Sequence, residues 1–289
     1  METVEEMRTE TPADSRRSGD ARVQAGAYLL ELSLDWIVLR ASENIHHLLG
    51  ESHVTLIDEP LGRFVHAQPL HDLRNLFSRL SGTTGIGRAY AVRLSDDPDL
   101  VDIAFHLSGG RVLLEIVPSC GNFGECFGSV AGLISGLASD GGQALLDNGA
   151  RRMRALTGYD RVTLVCEDMR AESSRGAFAR PADFSLDLPV IVADDEAQGI
   201  ALFPRRSEDT SAGAALMRAP SDPAIQALRI GGVRAALRIP FSSDGLGGEF
   251  RCDNRAPREP NFELHAAAEL FAQLFALRLE IDRLRSNAN

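Results

Sequence analysis

Few side chains in this sequence have the type and spacing needed for acid–base or metal chemistry. The seven histidines are His46, His47, His53, His66, His71, His106 and His265. No two of them have the i, i+4 spacing beside a glutamate that a helical zinc site requires. No histidine lies between residues 107 and 264. A pocket in the second half of the chain would therefore contain no imidazole for proton transfer or axial metal ligation.

The thiols are also few and do not form a metal motif. The four cysteines are Cys120, Cys126, Cys166 and Cys252. Cys120 and Cys126 are separated by five residues and lack CxxC spacing, so we predict no metal site. We expect reduced, mostly buried thiols rather than disulfides. A redox response through Cys120, Cys126 or Cys252 stays open as a hypothesis.

Short patterns that accompany enzymes occur here without the context that gives them function. Residues Gly247–Phe250 spell GGEF, a signature of diguanylate cyclases, but the metal-binding carboxylates and the rest of such a domain are absent. We interpret these glycines as turn residues. Gly82, Gly85 and Gly87 lack the flanking strand and helix of a dinucleotide site. The sequence contains no G-x-S-x-G nucleophile elbow, and it predicts no enzyme.

The composition limits the class of protein. A length of 289 residues favours two domains. The net charge of −11 has the wrong sign for a protein that neutralises nucleic-acid phosphates. No apolar run approaches the roughly 20 residues of a membrane-spanning helix, and the polar N-terminus lacks the apolar stretch of a secretory signal. We expect a cytoplasmic protein with neither a nucleic-acid nor a membrane partner.

The first half of the chain has the pattern of an antiparallel sheet. The stretch YLLELSLDWIVLR (28–40) predicts two strands around a turn, and SENIHHLLG predicts a short helix with Ser42 as its N-cap and Gly50 at its end. A helix is predicted over 71–82, and AYAVRL, VDIAFHL and RVLLEIVP predict three further strands. Together they predict a five-stranded antiparallel sheet with helices on one side.

The second half predicts another antiparallel-sheet domain. A helical stretch that contains Leu133, Ile134 and Leu137 leads to a break at Gly141 and Gly142. A longer helix then ends at Gly158, directly before the strand RVTLVCE. Residues 233–241 alternate apolar and polar side chains, and a glycine-rich turn joins them to a hairpin partner over 248–252.

The best-defined predicted helix runs from about Phe262 to Ser286. Its apolar residues step by three and four positions, as in the seam of a coiled coil. The seam consists of Ala267, Leu270, Leu274, Leu277, Ile281 and Leu284. The first half of the helix is compatible with packing on its own domain. For the second half we favour a parallel helix pair in a homodimer.

Four stretches distributed along the chain resemble the bacteriophytochromes: ASENIHHLLG, LTGYDRVTLV, LRIGGVRAALRI and AELFAQLFALRLE. The resemblance covers residues 22 to 284 and implies an α+β photosensory core, in which a PAS domain precedes a GAF domain that holds biliverdin. It also implies a figure-eight knot between the N-terminal segment and a GAF loop. The implied organisation is a flexible segment at 1–21, a PAS-like domain at 22–118, a connecting helix at 119–141, a GAF-like domain at 142–270 and a C-terminal helix at 262–286 shared by the GAF domain and the dimer interface.

The N-terminal half departs from this family at the attachment of the chromophore. The family attaches biliverdin to a cysteine upstream of the PAS strands, and residues 1–30 here contain none. Without a thiolate nucleophile, attachment by that route is chemically impossible. The segment from Phe203 to Met217 is also shorter than the family's loop, which weakens the expectation of a knot.

The pocket residues depart from the family as well. The resemblance aligns a pocket histidine with Ala224, a tyrosine with Ala227 and a second histidine with Asp253. Each substitution removes a polar partner that a buried bilin would need.

Other pocket positions retain part of the family pattern. Asp194 aligns with the aspartate that faces the pyrrole nitrogens, and Arg218 aligns with the arginine that holds a propionate. Val190 replaces a tyrosine beside Asp194, and Cys252 aligns with a family cysteine that is not the attachment site. The resemblance therefore implies a pocket lined by Val190, Asp194, Arg218, Ala224, Ala227 and Asp253.

From these departures we expect a degenerate PAS–GAF sensory module without a cofactor. It would act through a homodimer formed by the C-terminal helix and through a protein signalling partner or an output domain. The alternatives are a receptor that binds non-covalent biliverdin, another tetrapyrrole or a different small ligand in the GAF pocket, and a thiol redox sensor.

Overall fold

The structure is a computed structural model that describes residues 21–80, 85–120, 124–137, 140–206, 212–243 and 246–287. Apart from residue 21, the segment expected to be flexible lies outside the described residues. The predicted knot also depends on residues 1–20 and 207–211, which lie outside them too. The described parts form two antiparallel sheets and several helices, and this confirms the α+β class.

The strands are β1 (Arg22–Val23), β2 (Tyr28–Leu32), β3 (Val38–Ser42), β4 (Gly87–Val92), β5 (Val101–Ser108), β6 (Arg111–Pro118), β7 (Arg161–Cys166), β8 (Met169–Ser174), β9 (Ile191–Val192), β10 (Ile200–Phe203), β11 (Ala235–Ser243) and β12 (Leu246–Asn254). The helices are α1 (His46–Leu49), α2 (His53–Leu56), α3 (Ala67–Phe77), α4 (Glu125–Ser135), α5 (Gly142–Thr157), α6 (Asp222–Gly231) and α7 (Phe262–Asn287). Short 3₁₀ turns occupy Leu61–Arg63 and Ala212–Ala214.

The first sheet is larger than the sequence predicts. Its strand order is β1-β10-β3-β2-β6-β5-β4, so the five expected strands are extended by two short ones. Strand β10 comes from the second half of the chain, and its Leu202 pairs with Ser42 of β3. Arg22 of β1 pairs in turn with Ala201. A segment of the second domain therefore completes the sheet of the first.

One local prediction in this domain is wrong, and the bounds of another are shifted. Ser42 does not cap α1, because it is the last residue of β3 and its hydroxyl accepts a hydrogen bond from the Leu29 N–H at 3.1 Å. The helix predicted over 71–82 is present with shifted bounds, Ala67–Phe77, and residues 81 and 82 lie outside the described residues. It begins earlier because Pro69 lies in the first helical turn, where its missing N–H leaves no hydrogen bond unmade. Gly50 ends α1 in the left-handed conformation, as predicted.

The second sheet has the strand order β8-β7-β12-β11-β9, and α5 and α7 cover one of its faces. Aromatic rings fill this core: Phe250 of β12 lies 5.2 Å from Phe275 and 6.0 Å from Phe271, measured between ring centroids. Phe275 also lies against Gly149 of α5, where an added Cβ would be only 2.4 Å from the ring. The close packing of α5 and α7 therefore requires glycine at this position.

The residues of the predicted seam on α7 differ in burial. Ala267 is buried in the domain core and does not belong to an exposed seam, because the first turns of α7 pack on the second sheet. Leu274 is half-buried against the same core. Leu270, Leu277, Ile281 and Leu284 expose between 44 and 61% of their surface. No helix in the described part of the chain is long and apolar enough to cross a membrane.

Candidate functional site

The face of the second sheet that points away from α5 and α7 carries charged side chains. On β12, Phe250 and Cys252 belong to the helix-covered core, so Arg251 and Asp253 point to the opposite side. Arg161 of β7 is the cross-strand partner of Asp253, and Arg238 of β11 is that of Arg251. We call this surface the charged face; it consists of Arg161, Arg238, Glu249, Arg251 and Asp253.

A buried ion network occupies the centre of the charged face. Arg161 donates to Asp253 Oδ2 from Nε at 3.0 Å and from Nη2 at 2.6 Å. Arg251 Nε donates to the other carboxylate oxygen, Oδ1, at 3.0 Å. The Asp253 side chain is fully buried, and the two guanidinium groups are almost as inaccessible. Removing the carboxylate would leave two buried positive charges without a counterion.

The same arginines also fasten the loop that covers the charged face. Arg161 Nη1 donates to the carbonyl of Arg180, and Arg251 Nη1 donates to the carbonyl of Asp183. The Phe178 ring receives the Arg161 guanidinium at 4.1 Å and the Arg255 guanidinium at 5.1 Å, measured to the ring centroid. Arg238 holds the end of the loop through the carbonyl of Leu188 at 3.0 Å. The loop between β8 and β9 therefore lies over the sheet as a fixed cover.

Ala224 and Ala227, the two methyl groups at polar family positions, lie on α6. Ala224 is buried in an apolar cluster, and Ala227 is half-buried. The buried members of this cluster are Leu188, Val192, Ala224, Leu228, Val233 and Ala236. Because Ala236 is the cross-strand neighbour of Asp253, the cluster adjoins the charged face. Here α6 contributes packing where the family pattern has polar groups.

Asp194 belongs to an ion network at the end of β9. Its Oδ1 accepts a hydrogen bond from Arg234 Nη2 at 2.7 Å and another from the Glu196 N–H at 3.0 Å. Burial opposes the ionisation of Asp194, but these bonds outweigh it and hold the pKa below its usual value. The adjacent Asp195 is fully buried and pairs with Arg229 at 3.0 Å. Both carboxylates are therefore already paired with arginines of the chain.

Val190 directly precedes β9, and Arg218 is paired with the covering loop. Arg218 Nη2 donates to Asp187 Oδ1 at 2.6 Å, so its charge is partnered by the covering loop. Val190 is half-buried against the core, and its carbonyl accepts a hydrogen bond from the Arg238 N–H at 2.8 Å. Asp194 and Arg218 thus each form a separate ion pair, with Arg234 and Asp187.

Two buried polar groups that sequence reasoning missed join the first domain to the second. The Gln24 side chain donates to the carbonyl of Ile191 at 2.6 Å and accepts from the Ala193 N–H at 2.8 Å. Glu115 of β6 accepts from the N–H groups of Leu216 and Met217, both at 2.8 Å. Burial raises the pKa of Glu115 to about 7, although the two N–H donors favour its charged form.

No protein-family model and no curated protein matches the chain. Solved structures do match. The chromophore-binding domain of an unusual bacteriophytochrome from R. palustris superposes with a TM-score of 0.74 at 21% identity, over 94% of this chain and 99% of that one. This chain has the fold of bacteriophytochrome chromophore-binding domains. The corresponding domain of a Stigmatella aurantiaca phytochrome gives a TM-score of 0.71 at 22% identity, over 89% of this chain and 95% of that one.

The bacteriophytochrome fold accounts for the order of the two domains and for the closing helix. A longer R. palustris bacteriophytochrome structure superposes with a TM-score of 0.74 at 20% identity, and the present chain spans 59% of its length. At 20–22% identity, the likeness to these structures shows the fold. It does not determine which side chains are retained at the pocket positions, and here Asp194, Arg218 and Asp253 form the ion pairs described above.

Proposed function

We propose that the chain is a sensory module of the PAS–GAF type that works in the cytoplasm without bound biliverdin. It has no enzymatic activity of its own. It forms a homodimer through α7 and passes its signal along that helix to a protein partner or an output domain. A signal could travel by a small rotation or shift of one helix against its copy.

The observation that carries the proposal is the exposed apolar stripe on α7. Leu270, Leu277, Ile281 and Leu284, with the half-buried Leu274 between the first two, follow the alternating three- and four-residue steps of a coiled-coil seam. All four are exposed, and Leu284 exposes 61% of its surface. A stripe of this kind leaves apolar surface exposed to water unless a second helix covers it.

The oligomeric state in solution tests this proposal. We expect the purified chain to sediment as a dimer and the double variant Leu277→Glu, Ile281→Glu to sediment as a monomer with unchanged circular dichroism. Met169→Glu is the matched control, because Met169 is an exposed apolar residue of β8 that lies outside α7. A monomeric wild type, or a dimer that survives the double variant, would disprove dimerisation through α7.

Two observations support a module without biliverdin. The first cysteine of the chain is Cys120, far beyond the segment where the family attaches the chromophore. The side chains at the family's polar positions do not fit biliverdin either, because Asp253, Asp194 and Arg218 are engaged in ion pairs within the chain. Freeing Asp253 for a ligand would break its pairs and leave Arg161 and Arg251 buried without a counterion.

A second candidate function is a receptor for a different small ligand near α6. The cluster around Ala224 is apolar, and small-molecule sites are lined mostly by apolar side chains. Non-covalent biliverdin or another tetrapyrrole is included in this alternative. Redox sensing is the weaker alternative. Burial raises the pKa of the Cys120, Cys166 and Cys252 thiols, and this reduces the reactive thiolate fraction at neutral pH.

A further inference from the structure

A cavity lies at the junction of the two domains, on the side of the second sheet away from the charged face. Its volume is about 430 Å³, which is within the range of small-molecule sites, roughly 300–1,000 Å³. The wall is formed by Cys120 just after β6, by residues of β9 and β11 and the end of β12, by the loop between β12 and α7, and by the first turn of α7. Lining residues include Cys120, Tyr159, Ile191, Leu237, Asn261 and Leu264.

The backbone around the cavity is fixed by hydrogen bonds. The Arg258 N–H donates to the carbonyl of Ala193 at 2.9 Å and so joins two sides of the wall. Asn261 Oδ1 accepts from the Leu264 N–H at 2.8 Å and caps the start of α7. The Cys120 thiol lies 3.6 Å from the carbonyl of Pro260. A cavity bounded in this way is preformed, and a ligand would not need to order it.

One polar group in this wall lacks a partner. Tyr159 is only 5% exposed, and its hydroxyl has no hydrogen bond to any residue that the structure describes. Burial raises the pKa of Tyr159, so its hydroxyl stays protonated and can donate. Its oxygen is not among the fully buried side-chain atoms that lack a partner, so it keeps some access to solvent. A tyrosine hydroxyl of this kind can donate to an acceptor within the cavity.

The charges around the cavity disfavour an anionic ligand. Arg258 is committed to the end of α5: it donates to the carbonyls of Gly158 at 3.0 Å and Thr157 at 3.2 Å, and its guanidinium stacks 4.5 Å from the Tyr159 ring centroid. Burial, and then the charges of Asp102, Glu259 and Glu263, raise the pKa of the Cys120 thiol. The same acidic groups would repel a carboxylate or a phosphate.

We propose that this cavity binds a small uncharged ring compound that accepts a hydrogen bond from the Tyr159 hydroxyl and packs against Ile191, Leu237 and Leu264. The site is distinct from the pocket positions that the bacteriophytochrome resemblance assigns. A molecule bound there contacts the first turn of α7 together with the edge of the second sheet. The inference does not depend on dimerisation, so the two proposals can fail separately.

Quinoline and indole are suitable probes, because quinoline has an acceptor nitrogen whereas indole has an N–H donor and no acceptor lone pair. We expect quinoline, titrated into ¹⁵N-labelled protein at pH 7.5, to shift the amide signals of Ala193, Leu237 and Leu264. Tyr159→Phe keeps the ring stacked on Arg258 and removes only the hydroxyl. It should weaken quinoline binding about fivefold to tenfold and leave indole binding within about twofold.

A filling variant and its control complete the experiment. Ala193→Phe should abolish the shifts by occupying the cavity, whereas Ala131→Phe, at an exposed position of α4, should leave them unchanged. The unperturbed part of the amide spectrum reports whether each variant is folded. The proposal is wrong if neither probe shifts these amides at millimolar concentration, if the shifts lie elsewhere, or if Tyr159→Phe weakens both probes equally.

Discussion

Arg161 reaches across from β7 to place two nitrogens on one carboxylate oxygen of Asp253, at 3.0 and 2.6 Å. Asp253 stands where the bacteriophytochrome resemblance expects a histidine. The substitution therefore does more than delete an imidazole. It introduces the counterion that allows Arg161 and Arg251 to be buried on the charged face and to hold the covering loop.

Asp253→Ala is predicted to destabilise the second domain strongly. The variant leaves two buried guanidinium groups without their carboxylate, and the loss of one partner from a buried ion network costs about 3–5 kcal/mol. Urea unfolding monitored by circular dichroism measures the change in the free energy of unfolding. Asp168→Ala is the control, since Asp168 is exposed in the β7–β8 turn, and it should change stability by less than about 0.5 kcal/mol. Equal effects of the two substitutions would contradict the assigned role of Asp253.

Gly149→Ala is predicted to loosen the contact between α5 and α7. The new methyl group would lie 2.4 Å from the Phe275 ring, and overpacking of this kind costs about 1–3 kcal/mol. Gly132→Ala in α4 meets no atom within 4 Å and should stabilise its helix by roughly 0.5–1 kcal/mol. Thermal unfolding of both variants measures the difference. Stabilisation by both substitutions would show that the helices do not approach as closely as described.

Glu115 is predicted to make stability depend on pH. Its pKa is about 7 in the folded chain against an ordinary value of 4.5, so the folded state binds this proton more tightly than the unfolded state. The resulting stabilisation is complete below about pH 4.5 and disappears as the pH rises through 7, a change of about 3 kcal/mol.

Glu115→Gln isolates this contribution, because it removes the titrating group and retains one acceptor for the Leu216 or Met217 N–H. We expect the variant to be less stable than the wild type at pH 5 and the difference to shrink towards pH 8. The free energy of unfolding by urea at several pH values gives the comparison. A difference that is constant across this range would exclude a raised pKa at Glu115.

Local patterning in the sequence predicts most of the elements but not their long-range pairing. Apolar runs and alternation predict the five consecutive strands β3, β2, β6, β5 and β4 of the first sheet and the β11–β12 hairpin. The addition of β10 beside β3 leaves no such local pattern, since Leu202 and Ser42 are far apart in the chain. The same lack of local information explains why the pattern around Ser42 predicts a helix cap although Ser42 ends β3.

The candidate site, too, can be predicted from the sequence only in part. Arg251 and Asp253 are two residues apart on one strand, so their common face can be predicted from the sequence alone. The contribution of Arg161 depends on how β7 pairs with β12, and that register is a tertiary property. Ala267 fits the predicted seam by spacing, yet it is buried because the first turns of α7 pack on the sheet. Spacing alone does not distinguish a core-facing stripe from a partner-facing one.

The most direct test of the central claim is the visible and far-red absorption spectrum of the purified chain with excess biliverdin. If Asp253, Asp194 and Arg218 are engaged within the protein, the spectrum should equal that of free biliverdin, and red illumination should not change it. A structured far-red band that disappears on denaturation would reveal a non-covalent bilin pocket and contradict the account.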